Sequence, residues 1–117
     1  MSQDKIERVT SSSSGVVGRA QSIARSARLL LDSSSRPQPD ALTNSEAFLA
    51  GISSCGVTLI EMHAQETGIP LTRIDVTIEG VRMAAEPTRF ARMTMTFELA
   101  GVSATQAAEL VETYRGR

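Results

Sequence analysis

The stretch that decides the fold runs from Thr43 to Pro70 and reads TNSEAFLAGISSCGVTLIEMHAQETGIP. It opens with a capping box, because Thr43 and Glu46 are spaced so that each side chain can bond a free amide of a first helical turn. It closes at Gly68, where a left-handed cap is accessible, and Pro70 prevents continuation. The stretch therefore predicts one long helix. Apolar residues at steps of three and four form one stripe on it, which we expect to face the core: Phe48, Ile52, Cys55, Leu59 and Met62.

Downstream of this helix the sequence predicts two strands and a second helix. Residues 73–79 and 91–99 alternate strictly between apolar and polar side chains, which is typical of half-buried strands, and we expect them to pair antiparallel. Ser103 and Gln106 form a second capping box that opens a terminal helix. The apolar face of that helix is expected to comprise Ala107, Leu110, Val111 and Tyr114.

Upstream of the long helix, residues 33–40 contain two prolines and no apolar side chain, and they predict an exposed connector. Before it, the chain favours extended structure, with candidate strands at Lys5–Thr10, Val16–Arg25 and Ala27–Asp32. The order of elements is strands, long helix, two strands, short helix. The length of 117 residues and the 41% apolar content suit one α+β domain spanning the whole chain.

Composition narrows the function classes. Twelve basic and 13 acidic side chains give a net charge of -1, which disfavours nucleic acid and anionic lipid as partners. Uninterrupted apolar runs are short of the roughly 20 residues of a membrane span, so we expect no membrane segment. The N-terminus lacks the pattern of a secretory signal, and we expect a cytoplasmic protein. One cysteine and one histidine exclude an internal disulfide and a typical zinc site, and we expect no metal or cofactor.

Cys55 is the one strong nucleophile in the sequence. Its neighbours Gly51, Ser53, Ser54 and Gly56 are weak helix formers, each costing on the order of 0.5 to 1 kcal/mol relative to Ala in a helix interior. Two interpretations are open. In an unbroken helix, Cys55 on an apolar stripe would be a small buried hydrophobe and inert. If the helix instead restarts at Ser53 or Ser54, Cys55 lies in a first turn, where free amides and the helix dipole favour a thiolate.

The chain resembles the OsmC/Ohr family, the osmotically inducible protein C-like and organic hydroperoxide resistance proteins. The resemblance covers about residues 15–117. It is carried by a Glu followed by Leu and Ala residues, then small residues and a cysteine, and by later glycine landmarks. The matching segments are Gly18-Arg19-Ala20, the run from Arg28 to Asp32, Thr43 to Cys55, Thr67 to Leu71, and Gly101-Val102-Ser103.

The resemblance implies an intertwined homodimer with sites at the subunit boundary, and thiol-dependent reduction of organic hydroperoxides. Cys55 matches the reactive cysteine of the family, whose thiol pKa is lowered by an arginine that a glutamate orients. We assign these two roles to Arg28 and Glu46, with Arg19 and Arg25 as open alternatives to Arg28. Glu46 also has the simpler role of capping-box carboxylate. Nine helical residues place Glu46 and Cys55 on opposite faces of a straight helix, so a shared site demands a break or a partner subunit.

The sequence departs from the family in one respect that affects turnover. The resemblance implies a second cysteine, followed by Pro, just beyond the last helix, and the 117 residues contain none. Either the chain continues beyond Arg117 or the sulfenic acid is reduced by an external thiol or dithiol. The alternative is a non-catalytic OsmC-like stress protein that binds a small apolar ligand.

Overall fold

The computed structural model describes residues 4–116, and the chain divides between Phe48 and Leu49 into two compact units. The described residues form two helices and two antiparallel sheets, which confirms the α+β class. The elements, in chain order, are β1 (Thr10–Ser13), β2 (Arg19–Ala24), β3 (Ala27–Asp32), α1 (Asn44–Thr67), β4 (Arg73–Val81), β5 (Arg92–Ala100) and α2 (Ala104–Arg115).

The first unit is built on the antiparallel sheet β1-β2-β3. The predicted strand Ala27–Asp32 is confirmed, and it pairs with β2 from Arg19↔Asp32 to Ala24↔Ala27. The predicted strand Val16–Arg25 is shortened at both ends, because a turn closes before Arg19 and Arg25 adopts φ 58° in the next turn. The prediction of a strand over Lys5–Thr10 is wrong. The strand lies at Thr10–Ser13, where backbone pairing with β2 prevails over side-chain alternation.

Helix α1 begins and ends at the predicted residues. The Thr43 Oγ1 accepts from the Glu46 amide at 3.1 Å, and the Glu46 Oε1 accepts from the Thr43 amide at 2.9 Å. At the other end Gly68 has φ 72°, and the following amide, of Ile69, donates to the Ala64 carbonyl at 2.9 Å. The helix is continuous over 24 residues. No new helix begins at Ser53 or Ser54, so the first-turn interpretation of Cys55 is wrong.

The buried face of α1 is not the predicted stripe. Gly56, Ile60 and Ala64 are the buried residues of the helix, whereas Cys55 is exposed. The ends of the predicted stripe, Phe48 and Met62, are 56% and 55% exposed. The physical reason is the fit of this face to its neighbours, since Ile60 fills the core while Gly56 and Ala64 leave room for facing side chains. An added Cβ at Gly56 would already lie within 3.6 Å of Met95, Phe97 and Tyr114 side-chain atoms.

The second unit is organised around the core that α1 shares with β4, β5 and α2. The predicted β4–β5 pair is confirmed, in register from Arg73↔Ala100 to Val81↔Arg92. The capping box at Ser103 and Gln106 is also confirmed. Four hydrophobic side chains of the described residues are buried: Ile60, Ala64, Ile74 and Leu110. Around them pack partly buried side chains that include Phe97 and Tyr114, whose ring centroids are 5.8 Å apart.

We predict that Gly56→Ala stabilises the protein. Glycine in a helix interior is destabilising by roughly 0.5 to 1 kcal/mol relative to alanine. The new methyl group would lie 3.4 Å from the Met95 Cε and 3.6 Å from ring atoms of Phe97 and Tyr114, which is ordinary van der Waals contact. The free energy of unfolding in urea should rise by about that amount. Gly51→Ala, at an exposed position with no atom within 4 Å, is the matched control and should give the same gain. A loss for Gly56→Ala alone would contradict this prediction.

Helix α1 is long and apolar enough, by length and composition, to cross a membrane. We expected no membrane segment because the uninterrupted apolar runs are short. Glycine and serine interrupt such runs in α1 without making the helix strongly polar. The same test is passed by core helices of soluble proteins, and one face of α1 is packed in the core of the second unit. The absence of a membrane partner, the single-domain organisation and the cytoplasmic location all stay predictions.

Candidate functional site

Cys55 lies in the middle of α1 with an exposed side chain. The residues around it satisfy their own hydroxyls within the helix: Ser53 donates to the Ala50 carbonyl at 3.3 Å and Thr58 donates to the Cys55 carbonyl at 3.4 Å. Both hydroxyls donate to carbonyls three residues earlier, which is compatible with a continuous helix. Because Cys55 is not sealed in the core, the interpretation as a buried inert hydrophobe does not fit, and the thiol is accessible to small reagents.

An open cleft begins one helical turn after Cys55. Its wall on α1 includes Thr58 and Met62, and its opposite wall is the chain entering β4, which contributes Leu71 and Arg73. Thr58 and Met62 share a helix face with Cys55, since they follow it by three and seven residues. The Arg73 Nε donates to Asp75 at 2.8 Å, and this hydrogen bond raises the pKa of Arg73 and lowers that of Asp75. The cleft is lined mainly by polar side chains, among them Glu61 and Gln65, with Met62 and Leu71 as its apolar residues.

The three candidate arginines have different surroundings within the first unit. Arg19 donates from Nη1 to Asp32 at 2.6 Å and from Nη2 to Asp40 at 2.8 Å. Arg25 lies in the turn between β2 and β3. Arg28 is exposed on β3 and lines a shallow, mostly apolar pocket. Among the described residues 4–48, the ion pairs made by these arginines are those of Arg19, so Arg25 and Arg28 carry guanidinium groups that are not ion-paired in this part of the chain.

Glu46 performs the capping role that the sequence predicts for it. Its carboxylate accepts from the Thr43 amide, and its own amide donates to the Thr43 hydroxyl. One carboxylate oxygen, Oε1, is engaged in this capping bond. The unbroken helix keeps Glu46 nine residues before Cys55, so the two side chains of one chain leave α1 in opposite directions.

A buried polar cluster centred on Asp32 was not predicted from the sequence. The Asp32 side chain is fully buried and accepts from Arg19, from the Ser34 amide and hydroxyl, and from the Gln38 amide. These bonds, led by that from the Ser34 hydroxyl, hold the pKa of Asp32 far below its usual value against the opposing effect of burial. The signal was present, because an Asp that ends a strand and precedes a serine-rich connector favours a turn in which its carboxylate accepts from the amide two residues on.

Asp40 completes the cluster from the connector. Its carboxylate accepts from the same guanidinium, and that hydrogen bond lowers the pKa of Asp40 and raises that of Arg19. One arginine thus bridges a buried carboxylate at the end of β3 and an exposed carboxylate eight residues later. Among the described residues, no group of three or more His, Cys, Asp or Glu side chains is placed to hold a metal ion.

Comparison with known proteins identifies the family. The family model described as OsmC-like protein matches residues 37–116, which is more than half of the chain. The chain belongs to the OsmC-like family. The match confirms the resemblance to the OsmC/Ohr family seen in the sequence of this OsmC-like protein. No curated protein matches it significantly.

Solved structures confirm that the fold is that of OsmC-like proteins. An OsmC-like protein from Mycoplasma pneumoniae superposes with a TM-score of 0.82 at 20% identity, covering 98% of this chain and 84% of that one. An organic hydroperoxide resistance protein OsmC from Legionella pneumophila gives 0.65 at 17% identity, with 98% and 85% coverage. The organic hydroperoxide resistance protein OhrB of Bacillus subtilis gives 0.61 at 17% identity, with 96% and 84% coverage.

Proposed function

We propose that this OsmC-like protein is a thiol-dependent peroxidase that reduces organic hydroperoxides through Cys55. The observation that carries the proposal is the accessibility of the thiol, because the cysteine that sequence places in the family pattern is exposed on α1. Two structural relatives bear names that refer to organic hydroperoxide resistance. The cleft that begins one turn from Cys55 has two apolar side chains, Met62 and Leu71, that could contact the organic part of a substrate.

The chemistry needs one sulfur and an external reductant. The Cys55 thiolate attacks the distal peroxide oxygen, the O–O bond breaks, and the alkoxide takes a proton to leave as an alcohol. Cys55 is then a sulfenic acid. A thiol of the reductant displaces water from it to form a mixed disulfide, and a second thiol of the same dithiol releases Cys55 and leaves the reductant oxidised. The 117 residues contain Cys55 as their one cysteine, and we propose that a cytoplasmic dithiol external to these residues performs this step.

We assign stabilisation of the thiolate to Arg28, with Glu46 as the residue that orients it. Arg28 is the exposed arginine that precedes the apolar run of β3, and its guanidinium makes no ion pair within the described part of the first unit. Arg25 is the alternative. Because Glu46 and Cys55 of one chain leave α1 on opposite sides, the proposal places the complete site in a homodimer, where a second copy can contribute the missing groups.

The distribution of apolar side chains supports the homodimer. Among the described residues, four hydrophobic side chains are buried while ten large ones are exposed. Two of the exposed ones, Phe48 and Met62, lie seven residues to either side of Cys55 on α1, so an interface that covers them would border the thiol. Apolar area of this kind is what a subunit interface covers, and small domains with thin cores gain stability by associating.

The experiment that tests the peroxidase proposal must separate cysteine from methionine oxidation. Met62, Met83 and Met93 are all exposed and can also gain oxygen. The protein is treated with one equivalent of cumene hydroperoxide and then with dimedone, which traps sulfenic acid but not methionine sulfoxide. We expect one dimedone adduct, located on Cys55 by peptide mass, and alcohol release in equal amount. Oxygen addition confined to the methionines would refute the peroxidase proposal.

A second function, binding of a small apolar ligand without turnover, is favoured by the mostly apolar pocket that Ala27, Arg28 and Leu29 help to line. It predicts saturable binding of a fatty acid and no hydroperoxide consumption with dithiothreitol present. Consumption that is catalytic in protein, with several turnovers per Cys55, would exclude this second function as the main role.

A further inference from the structure

We propose that Arg19 and Asp32 are positioning residues that anchor the first turn of α1, and with it Glu46, to the hairpin formed by β2 and β3. The chemical consequence of this anchoring rests on the proposed function, because it concerns how Glu46 is presented to the arginine beside the thiolate. The anchoring itself rests on hydrogen bonds within the first unit.

Arg19 is committed to carboxylates of its own chain. Its two terminal nitrogens bind two different side chains, Asp32 on β3 and Asp40 on the connector, and the arginine side chain is only 15% exposed. A guanidinium that binds a peroxide needs free N–H groups directed at the substrate. We therefore assign Arg19 a structural role, while Arg25 and Arg28 remain candidates for stabilising the thiolate.

Asp32 accepts bonds that only a carboxylate can accept. Its Oδ1 receives the Ser34 amide at 3.0 Å and the Ser34 hydroxyl at 2.5 Å, and its Oδ2 receives Arg19 at 2.6 Å and the Gln38 amide at 2.9 Å. Every partner is a donor, with the serine hydroxyl alone able to reverse. An asparagine at this position would direct its NH₂ group at donors in either orientation. The cluster thus selects for a negative charge and not merely for a side chain of this size.

Asp32 and the next residue, Ser33, also make hydrogen bonds to the residues at the start of α1. The Asp32 amide donates to the Leu42 carbonyl at 2.8 Å, and the Ser33 hydroxyl oxygen accepts from the amide of Asn44, the first residue of the helix, at 2.8 Å. On the other side of this turn Gly18 allows Ser34 to pack closely, because a Cβ at Gly18 would lie 2.6 Å from the Ser34 Cα. The end of β3 is therefore hydrogen-bonded on both sides of Thr43, to Leu42 before it and to Asn44 after it.

The position of Glu46 depends on these hydrogen bonds. It is bonded to Thr43, which directly precedes the helix, and Thr43 follows the residue whose carbonyl is bound by Asp32. If the Asp32 cluster loosens, the first turn is released from the hairpin that also carries Arg28. A purely structural role would lower stability alone, whereas a positioning role also changes the pH at which Cys55 reacts.

The test compares two variants with a matched control. Ser33→Ala removes only the oxygen that accepts the Asn44 amide, and Asp32→Asn removes the charge of the cluster. Asp75→Asn removes a carboxylate from the exposed Arg73 pair and is the control. Amide hydrogen exchange at Gln38 and Asn44 reports the anchoring, and the pH dependence of dimedone-trapped Cys55 oxidation reports its consequence.

We expect the Asn44 amide to exchange about tenfold faster in Ser33→Ala, as for one lost hydrogen bond, and both amides to exchange faster in Asp32→Asn. The midpoint of the oxidation profile should move to higher pH in both variants and stay unchanged in Asp75→Asn. Unchanged exchange at Asn44 would overturn the anchoring, and faster exchange with an unmoved midpoint would overturn the positioning role. An unreactive Cys55 in the unmodified protein would instead refute the peroxidase function, while the exchange data still decide the anchoring.

Discussion

Cys55→Ser should abolish hydroperoxide consumption, lowering the rate by about three orders of magnitude or more, to that of buffer with dithiol alone. A serine hydroxyl is a poor nucleophile at neutral pH and cannot form a sulfenic acid. The Cys55 side chain is exposed on α1, so its replacement should leave the helical circular dichroism and the midpoint of urea unfolding nearly unchanged. The measurement is consumption of cumene hydroperoxide with dithiothreitol as the reductant.

The matched control for this result is Ser54→Ala, which changes the neighbouring exposed residue and keeps the thiol. It should consume hydroperoxide at the rate of the unmodified protein. If Cys55→Ser and the unmodified protein consumed hydroperoxide equally fast, the activity would belong to another group and the assignment to Cys55 would fail.

Leu110→Ala should produce the largest loss of stability among single substitutions in α2, about 2 to 5 kcal/mol in the free energy of unfolding. Leu110 is fully buried and packs with Ile60, Ala64 and Ile74 in the core of the second unit. Removing its isobutyl group leaves a cavity that the rigid surroundings of α1 and β4 fill only in part. The measurement is urea unfolding followed by helical circular dichroism.

Leu29→Ala provides the comparison for that loss, since it makes the same chemical change at a side chain that is 46% exposed. We expect it to lower the free energy of unfolding by less than about 1 kcal/mol. Similar losses for the two variants would show that the described core does not dominate the stability.

Elements with local signals could be predicted from the sequence, and those that depend on packing could not. Both helices begin at capping boxes, and α1 ends at Gly68, because these signals are contained in a few adjacent residues. The β4–β5 pair follows from strict alternation. The strand Thr10–Ser13 could not be found in this way, since all four of its side chains are exposed and its pairing is made by the backbone.

The buried face of α1 shows the same limit. Apolar periodicity predicted the stripe with Phe48 and Met62, yet the buried face carries Gly56, Ile60 and Ala64, of which Ile60 alone is a large apolar side chain. Periodicity measures the hydrophobicity of a face and not the distance at which it can pack.

For the candidate site, chemistry alone selects Cys55, because the sequence offers one strong nucleophile, and its catalytic role stays a prediction. The choice among arginines needed structure, since the commitment of Arg19 depends on the register Arg19↔Asp32 and on the path of the connector that brings Asp40 to the same guanidinium. Neither is encoded in the local pattern around Arg19.

The position of Tyr114 has a spectroscopic consequence. The chain has one tyrosine and no tryptophan, so the near-ultraviolet emission of the protein is dominated by this single ring. Its hydroxyl contacts the Met95 sulfur at 3.7 Å and its ring packs against Phe97, all within the second unit. Intrinsic fluorescence therefore reports the melting of that unit alone, and combined with a dye attached at Cys55 it would distinguish core unfolding from events on the outer surface of α1.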